Sequence, residues 1–589
     1  MVSEKAEWHS CFSPGNCSPG LLEELLVNQH RLLDRIQHSI EESIRTGAGH
    51  HWLLIGPRGI GKTHLLSVLI HRFTASQSFR AQAVMARMKE EERGVTSFLD
   101  WNVRILRAFE RHGEKPATKR INLQEELTEL TRLDPKQARF EAERLLTRFV
   151  GERKILLVVE NLERLFSRLT GMNRLEQSRF RDLIHRNPSW AIIASSRALF
   201  EDVRVREAPF FGFFQVQHLS ELDADQSLQL MTKLAHSEGR DQLVQFLQSD
   251  IGRGKMRALH HLTRGNPRLL VSFYQFIDGE LIQDLATPFL KMIDNLTAYF
   301  QQQFLALPSL QQKIVDCLCE RRTPVSVKKI AQACFTSHST AASQLKRLSS
   351  RGSVHSIRIG RNSFYELRDP LFRICAELRE NRVERTQLFV DFLEKISIVE
   401  ELRRAHRSVD SALQARSADI GPEGRFAVFN AALAYFRDGR LEAGLDQIKN
   451  ALRTGWDEEW EKTASLEVYA INMFILTHGL VSEINRLRSQ QQEIFDQVSL
   501  PHVFAEGLVA ALSKILSRPS GEITLDRLVQ IRDNVVSELA RQQQFQVVCQ
   551  LFDAGVRYLE SKDRRMLMGL SLEERTVLER LLKPAEGSR

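Results

Sequence analysis

Residues 51–63 read His-Trp-Leu-Leu-Ile-Gly-Pro-Arg-Gly-Ile-Gly-Lys-Thr. A short apolar run, Trp52 to Ile55, enters Gly56-x-x-x-x-Gly61-Lys62-Thr63, and an amphipathic helical pattern follows. Strand, glycine-rich turn and helix in that order is the context a phosphate-binding P-loop requires. The loop Gly56, Pro57, Arg58, Gly59, Ile60, Gly61, Lys62, Thr63 and His64 is expected to curl its backbone N–H groups around a β-phosphate. The helix N-terminus adds partial positive charge there. Lys62 reaches the β- and γ-phosphates, and the Thr63 hydroxyl holds Mg²⁺. The expected ligands are therefore ATP or ADP with Mg²⁺.

The chain has 589 residues, enough for roughly three to five domains. Apolar residues make up 42% and charged residues 26%, the balance of a soluble globular protein. The longest purely apolar stretches span a few residues, too short for a transmembrane helix. The first ten residues contain no apolar core of the secretory kind. Seven cysteines suggest free thiols in a reducing cytoplasm. Net charge is +8, and residues 305–380 hold 13 Lys and Arg against 6 Asp and Glu. A basic patch of that kind suits a polyanion partner.

A helical pattern of Leu25, Leu32, Leu33, Ile36, Ile40 and Ile44 precedes the loop. After it come a helix burying Leu65, Leu66, Leu69, Ile70 and Phe73, a strand Ala83 to Met88, an acidic turn at Glu90 to Glu92, and a helix from Ser97 to His112. Residues 113–135 are polar and read as a linker, with a further helix running to Phe149. Lys154 to Val159 is an unbroken Ile, Leu and Val run ending in Glu160-Asn161-Leu162-Glu163. Such a run is a strand buried on both faces. An acid at its carboxyl end is placed to hold the Mg²⁺ shell and polarise water. Here that acid is Glu160, where Asp is more usual, and Asn161 follows where a catalytic Glu often stands. Binding is thus better supported than fast hydrolysis. A third strand, Ala191 to Ala194, ends in Ser195-Ser196-Arg197, where a γ-phosphate sensor would stand. Phe210 to Phe214 reads as core and Gln215 to His218 as a last strand.

The order of P-loop, Glu-Asn strand, Ser-Ser-Arg strand, Leu219-Ser220-Glu221-Leu222 and Thr263-Arg264-Gly265-Asn266-Pro267-Arg268 resembles the AAA+/STAND ATPases. The subgroup it resembles most is the origin-recognition-like ATPases of archaea and bacteria. The resemblance spans about residues 20–380. It implies that Arg197 is a sensor-1 arginine and that Gly265 to Arg268 form a sensor-2 turn. In that turn Arg268 faces the γ-phosphate and Pro267 lies near the adenine. Arg264 and Arg268 read equally well as surface or salt-bridged arginines. The chain departs from the family at Leu26-Val27-Asn28-Gln29-His30, where Val-Gly-Arg usually stands near the base.

The chain is expected to divide into an arm (1–19), an α/β P-loop NTPase core with a parallel sheet flanked by helices (20–219), a helical lid (220–304), a winged helix-turn-helix (305–380) and, from its helical pattern, an all-α, tetratricopeptide-like region (381–589). In the lid, Leu228, Leu230, Met231 and Leu234 form one face; Leu269, Leu270, Phe273, Tyr274 and Ile277 form another. In the next segment, helices carry Leu310, Ile314, Val315 and Leu318, then Ile330, Ala331 and Cys334, then Ser337 to Arg351. A hairpin of Val354 to Ile359 and Phe364 to Leu367 turns at Gly360 to Ser363. The third helix is the expected reading helix, offering Ser339, Ser343, Gln344, Lys346, Arg347 and Arg351; the wing adds Arg358 and Arg361. Cys317, Cys319, Cys334 and His338 lack zinc-knuckle spacing, and the three cysteines read as buried thiols; Cys11 and Cys17 fare no better as metal ligands.

Asn430 to Trp456 follows a tetratricopeptide-like spacing, and Phe545 to Leu559 and Leu570 to Leu582 add helical pairs. Such arrays present a concave surface to protein partners; a plain bracing bundle is the alternative. The expected function is an ATP-binding switch that couples nucleotide state to duplex DNA and a protein partner, as a homo- or hetero-oligomer with no membrane role and slow ATP hydrolysis. The alternative is a STAND-type sensor or scaffold that oligomerises without touching DNA, in bacterial defence by analogy. A weaker third reading is a loader for a helicase, nuclease or transposase. Arg174, Arg179 and Arg181 are candidate trans-acting fingers.

Overall fold

The computed structural model describes residues 17–88, 97–117, 121–163, 190–204, 210–277, 284–350, 353–359, 362–368, 370–379, 384–405, 524–540 and 545–582, with isolated positions at 282, 440, 443, 512 and 516. The chain divides into two compact units: 1–241 with 263–275, and 242–262 with 276–589.

The first unit is built on a five-stranded sheet in the order β2-β3-β4-β1-β5. Its helices before the second strand are α1 (Pro19–Glu24), α2 (His30–Thr46), α3 (Lys62–Ala75) and α4 (Gln77–Gln82); the strands are β1 (His51–Ile55), β2 (Ala83–Met88), β3 (Lys154–Val159), β4 (Trp190–Ser196) and β5 (Gln215–His218). Between β2 and β3 lie α5 (Phe98–Arg111), α6 (Leu123–Leu130) and α7 (Pro135–Val150); α8 (Glu201–Arg204) precedes β5 and α9 (Ala224–Ser237) follows it. All neighbouring strands are parallel. Alternate strand residues point to opposite faces. Leu53, Ile55, Val84, Ala86, Ile155, Leu157 and Ile192 pack with α5, α6 and α7. Trp52, Leu54, Met85, Leu156, Val158 and Ile193 pack with α1 to α4. Both faces are covered at β1, β3 and β4, which is why these strands are largely apolar runs.

Three expectations change here. The polar stretch 113–135 is not a plain linker: α6 lies inside it, capped by the Asn122 side chain and burying Leu123, Leu127 and Leu130. Its eight residues hold one apolar stripe of three leucines among five polar neighbours, too little for the periodicity to stand out. The helix before the loop is broken in two, with Leu25 capping α1 and Asn28 in the left-handed region at φ 52°. Asparagine is among the few side chains that tolerate that conformation. Finally, Phe211 is 53% exposed, while Phe210 and Phe214 are buried.

Helices α10 (Asp241–Gln248) and α11 (Asp250–Thr263) follow in the chain and fall mainly in the second unit; α12 (Pro267–Tyr274) returns to the first, where it packs on α9. Asn266 caps α12, and Pro267 occupies its first turn, where a missing N–H costs nothing.

The second unit continues with α13 (Ala286–Leu305), α14 (Ser309–Glu320), β6 (Val325–Ser326), α15 (Val327–Ala333), α16 (His338–Ser350), β7 (Val354–Ile359) and β8 (Asn362–Leu367). The three strands form an antiparallel sheet in the order β6-β8-β7. Ile314, Val315, Leu318, Ile330, Leu345, Leu348 and Val354 form its core, with Cys317 and Cys334 among them. After this come α17 (Pro370–Arg379), α18 (Glu384–Ala405), α19 (Leu525–Leu539), α20 (Gln546–Ser561), a 3-10 turn (Arg564–Gly569) and α21 (Leu572–Leu582). Buried ion pairs join distant parts of this unit: Arg575 to Glu366 on β8 at 2.6 Å, and Arg373 to Glu573. The repeat-like stretch Asn430 to Trp456 lies outside the described residues apart from positions 440 and 443, as do residues 1–16. Among the described residues no helix is long and apolar enough to cross a membrane.

Candidate functional site

The carboxyl ends of β1, β3 and β4 line up: Ile55 pairs with Ser196, and Val159 with Ala194. In open parallel sheets this edge is where ligands bind. The loop after β1 turns through left-handed positions at Gly59 (φ 86°) and Gly61 (φ 99°) before α3 begins at Lys62. The Lys62 ammonium is buried and donates to the carbonyl oxygens of Gly56 (2.6 Å) and Pro57 (2.9 Å). Pro57 and Arg58 are exposed, and Ile60 is buried beneath the loop.

The Thr63 hydroxyl donates to Glu160 Oε2 at 2.9 Å. The carboxylate just past β3 is therefore in contact with the hydroxyl that opens α3. The other oxygen of Glu160 is held by a residue that the sequence reading missed. Arg87, on β2, donates to Oε1 from Nη2 at 2.9 Å and from Nε at 3.2 Å, and its Nη2 also meets Ser67 Oγ at 3.4 Å. Both side chains are about nine-tenths buried, at 10% and 7% exposure. A lone arginine in the apolar run Ala83 to Met88 was the signal available. Asn161 adopts a left-handed backbone (φ 52°), and its N–H donates to Ser195 Oγ at 3.3 Å. Arg197 lies just beyond β4, and its N–H donates to Glu163 Oε1 at 3.3 Å.

The Gly265 to Arg268 turn sits directly on the loop. The Arg268 N–H donates to the Gly59 carbonyl at 3.2 Å, and the Asn266 amide donates to the Arg58 carbonyl at 3.2 Å. A Cβ on Gly59 would lie 2.6 Å from Asn266 Oδ1 and 3.0 Å from Arg268 Cβ. Glycine at 59 is thus demanded by conformation and by close approach together. Gly61 differs, since nothing lies within 4 Å of its absent Cβ. His64 contributes no side chain to the loop: its Nε2 lies 2.7 Å from the Leu22 carbonyl of α1. A carbonyl only accepts, so Nε2 carries the proton, and burial lowers the imidazole pKa below 6.5. Lys233 on α9 donates to the carbonyls of Glu24 and Leu26, both at 2.7 Å, closing the end of α1 beside Asn28.

These residues fit a phosphate tail with Mg²⁺. A buried cation and a helix N-terminus face the loop, a hydroxyl and carboxylate share one contact, and the Gly61 position is open.

In the second unit, Lys346 and Arg347 on α16 and Arg358 on β7 are exposed. Gln344 turns the other way, and its Oε1 accepts from the Gln311 amide at 2.9 Å, so it is withdrawn from the expected reading surface. Arg351 and Arg361 lie outside the described residues, as do Arg174, Arg179 and Arg181.

Residues 26–183 match the family described as "AAA ATPase domain". Among solved structures, a Walker-type ATPase of Pyrococcus abyssi is 14% identical, with a TM-score of 0.41, covering 59% of this chain and 95% of that one. The Orc1 protein of Aeropyrum pernix, solved in complex with DNA, is 15% identical with a TM-score of 0.39, covering 61% and 94%. A signal-transduction ATPase with numerous domains and a tetratricopeptide repeat sensor, from Pyrococcus horikoshii, is 11% identical with a TM-score of 0.25, covering 94% and 77%. No curated protein matches the chain. The matched residues contain the phosphate loop, β3 and Glu160, and the chain carries an AAA ATPase domain of the P-loop class.

Proposed function

We propose that this chain is an ATP-binding switch whose nucleotide state governs its contacts with duplex DNA and a protein partner. The observation that carries the reading is the seat of the Gly265 to Arg268 turn on the phosphate loop, through Arg268 N–H to Gly59 O. A turn bonded to the loop backbone feels any change in loop conformation, so occupancy is read out mechanically. In this reading Lys62 and Thr63 hold the phosphates of ATP or ADP and Mg²⁺, and Glu160 completes the metal shell. Arg197 and Arg268 sense the γ-phosphate, with Pro267 beside the base. Bound Mg²⁺ would neutralise phosphate charge. Hydrolysis is slow, because Asn161 stands where a second acid would act and Arg87 occupies one oxygen of Glu160.

The DNA contacts in this proposal are Lys346, Arg347, Arg351, Arg358 and Arg361. The order of α14, β6, α15, α16, β7 and β8 is the one a winged helix-turn-helix needs, which supports placing α16 in a major groove. No Asp or Glu occurs between Glu320 and Glu366, while nine Lys and Arg do. The five-part division at 19, 219, 304 and 380, the C-terminal helices as a partner surface, a cytoplasmic site and an oligomeric state belong to the same proposal.

The full chain with Lys62→Ala should lose binding of labelled ATP, while it still binds a labelled duplex with an affinity that no longer responds to nucleotide. Wild-type ATP affinity in that variant would overturn the site assignment.

A second reading is favoured by the buried Arg575–Glu366 pair, which ties α21 to the hairpin. Here the helix-turn-helix is a packing element of a sensor that assembles without DNA. Mass photometry separates the two: assembly driven by ATP alone, with no duplex bound, favours the sensor.

A further inference from the structure

The turn between α15 and α16 sets backbone against side chain. Phe335 N–H bonds the Gln332 carbonyl at 3.2 Å, and Thr336 N–H bonds the Ala331 carbonyl at 3.0 Å. Closing a helix this way calls for a left-handed residue, a place that glycine fills most readily. Phe335 takes it at φ 53°, a conformation that bulky residues rarely adopt. Packing does not compensate, because Phe335 is 94% exposed, more than any other large apolar residue among the described ones. A strained residue that also displays an aromatic ring to water is a candidate contact point.

The surroundings choose the occupant. Lys328 and Lys329 on α15 and Lys346 and Arg347 on α16 are exposed, and Phe335 lies within the acid-free stretch from Arg321 to Tyr365. An acidic peptide offers charge with little flat apolar surface. A duplex offers phosphates with sugar and base surface between them.

We propose that Phe335 is an apolar contact to duplex DNA, seated on sugar and base surface at a groove edge while Lys346 and Arg347 take phosphates. This rests on the DNA-binding reading above. An apolar contact adds affinity without releasing counterions, and that separates it from the basic residues.

The test uses the full chain, a labelled duplex of mixed sequence and a salt titration followed by anisotropy. Phe335→Gly and Phe335→Asn, both suited to a left-handed backbone, should bind about tenfold more weakly with an unchanged salt slope. Lys346→Ala should reduce the slope by about 0.9. Both Phe335 variants should melt no lower than wild type, since the strain is relieved. Unchanged affinity in the Phe335 variants, with the Lys346 slope reduced, overturns this inference and leaves the DNA reading standing. No duplex binding by the wild type sinks both. Loss of a self-assembled species in Phe335→Gly, without any effect on DNA, makes the occupant a second copy of the chain and also overturns it.

Discussion

The phosphate loop and the turn after α15 both need left-handed backbone, and they meet the need with opposite residues. Gly59 and Gly61 fill the loop at φ 86° and 99°; Phe335 fills the turn at φ 53°. At Gly59 the Asn266 amide stands 2.6 Å from where a Cβ would be, so a side chain has no room. At Phe335 the ring projects into solvent. A left-handed side chain costs roughly 1–2 kcal/mol. At Gly59, where a neighbour comes close, the sequence avoids that cost; at Phe335, where a ring is displayed, it accepts it. The first site is shaped from inside the protein, the second from outside.

If that contrast is right, the largest penalties lie around the loop. Arg87→Met should cost about 3–5 kcal/mol in the nucleotide-free protein, since it leaves the buried Glu160 carboxylate without its cation. Urea melts measure it, and Arg87→Met combined with Glu160→Leu should recover most of the loss. A single-variant loss under about 1 kcal/mol, the scale of an exposed pair, would mean that water already compensates Glu160.

Glycine replacements sharpen the comparison at a smaller scale. Gly59→Ala should cost about 2–4 kcal/mol, combining a left-handed alanine with overpacking against Asn266. Gly61→Ala should cost only about 1 kcal/mol without nucleotide, because nothing crowds its Cβ. Equal losses at the two glycines in thermal melts would break the argument that Asn266 and Arg268 press on the loop.

Much of the first unit was legible because strands buried on both faces appear as largely apolar runs: β2 and β3 span the expected stretches, and β1 begins one residue before its own. The phosphate loop was legible for a different reason: its chemistry fixes residue types at fixed spacing. What escaped was set by partners far away in sequence. Arg87 looks like an interruption in β2 until the sheet brings Glu160 beside it, 73 residues later. Asn266 looks like an ordinary helix cap until its amide meets Arg58, 208 residues earlier. Gln344 fits the pattern of an outward reading residue, and only Gln311 explains why it faces in. Helix α6 hid because eight residues carry a single stripe. No pattern in residues 330–340 flagged Phe335, since exposure and a left-handed φ are invisible without coordinates.

The smallest effect concerns how the loop helix is anchored. His64 follows Thr63 directly, and its imidazole holds the Leu22 carbonyl at 2.7 Å. Burial depresses its pKa; Glu23 pulls it up and Lys233 pushes it down, and the net value stays below 6.5. The unfolded chain therefore takes up a proton before the folded one does. The stability His64 contributes is complete above pH 6.5 and is lost as pH falls through its lower folded value. The Arg373–Glu573 pair of the second unit behaves otherwise. Burial alone would raise the Glu573 pKa, but Arg373 overrides it and holds it below 4.5, so that contribution persists until the pH drops under about 4.5. Moderate acid should thus loosen α1 while the second pair stays intact. Hydrogen exchange across Leu22 to Leu26, corrected for intrinsic rates, should quicken below pH 6.5, and peptides around Glu573 should not change. His64→Gln keeps a donor for Leu22 without a titrating group, and should abolish the pH response. If exchange in that variant still quickens, the anchor is titrated through some other group, and His64 is merely a spacer between the loop and α1.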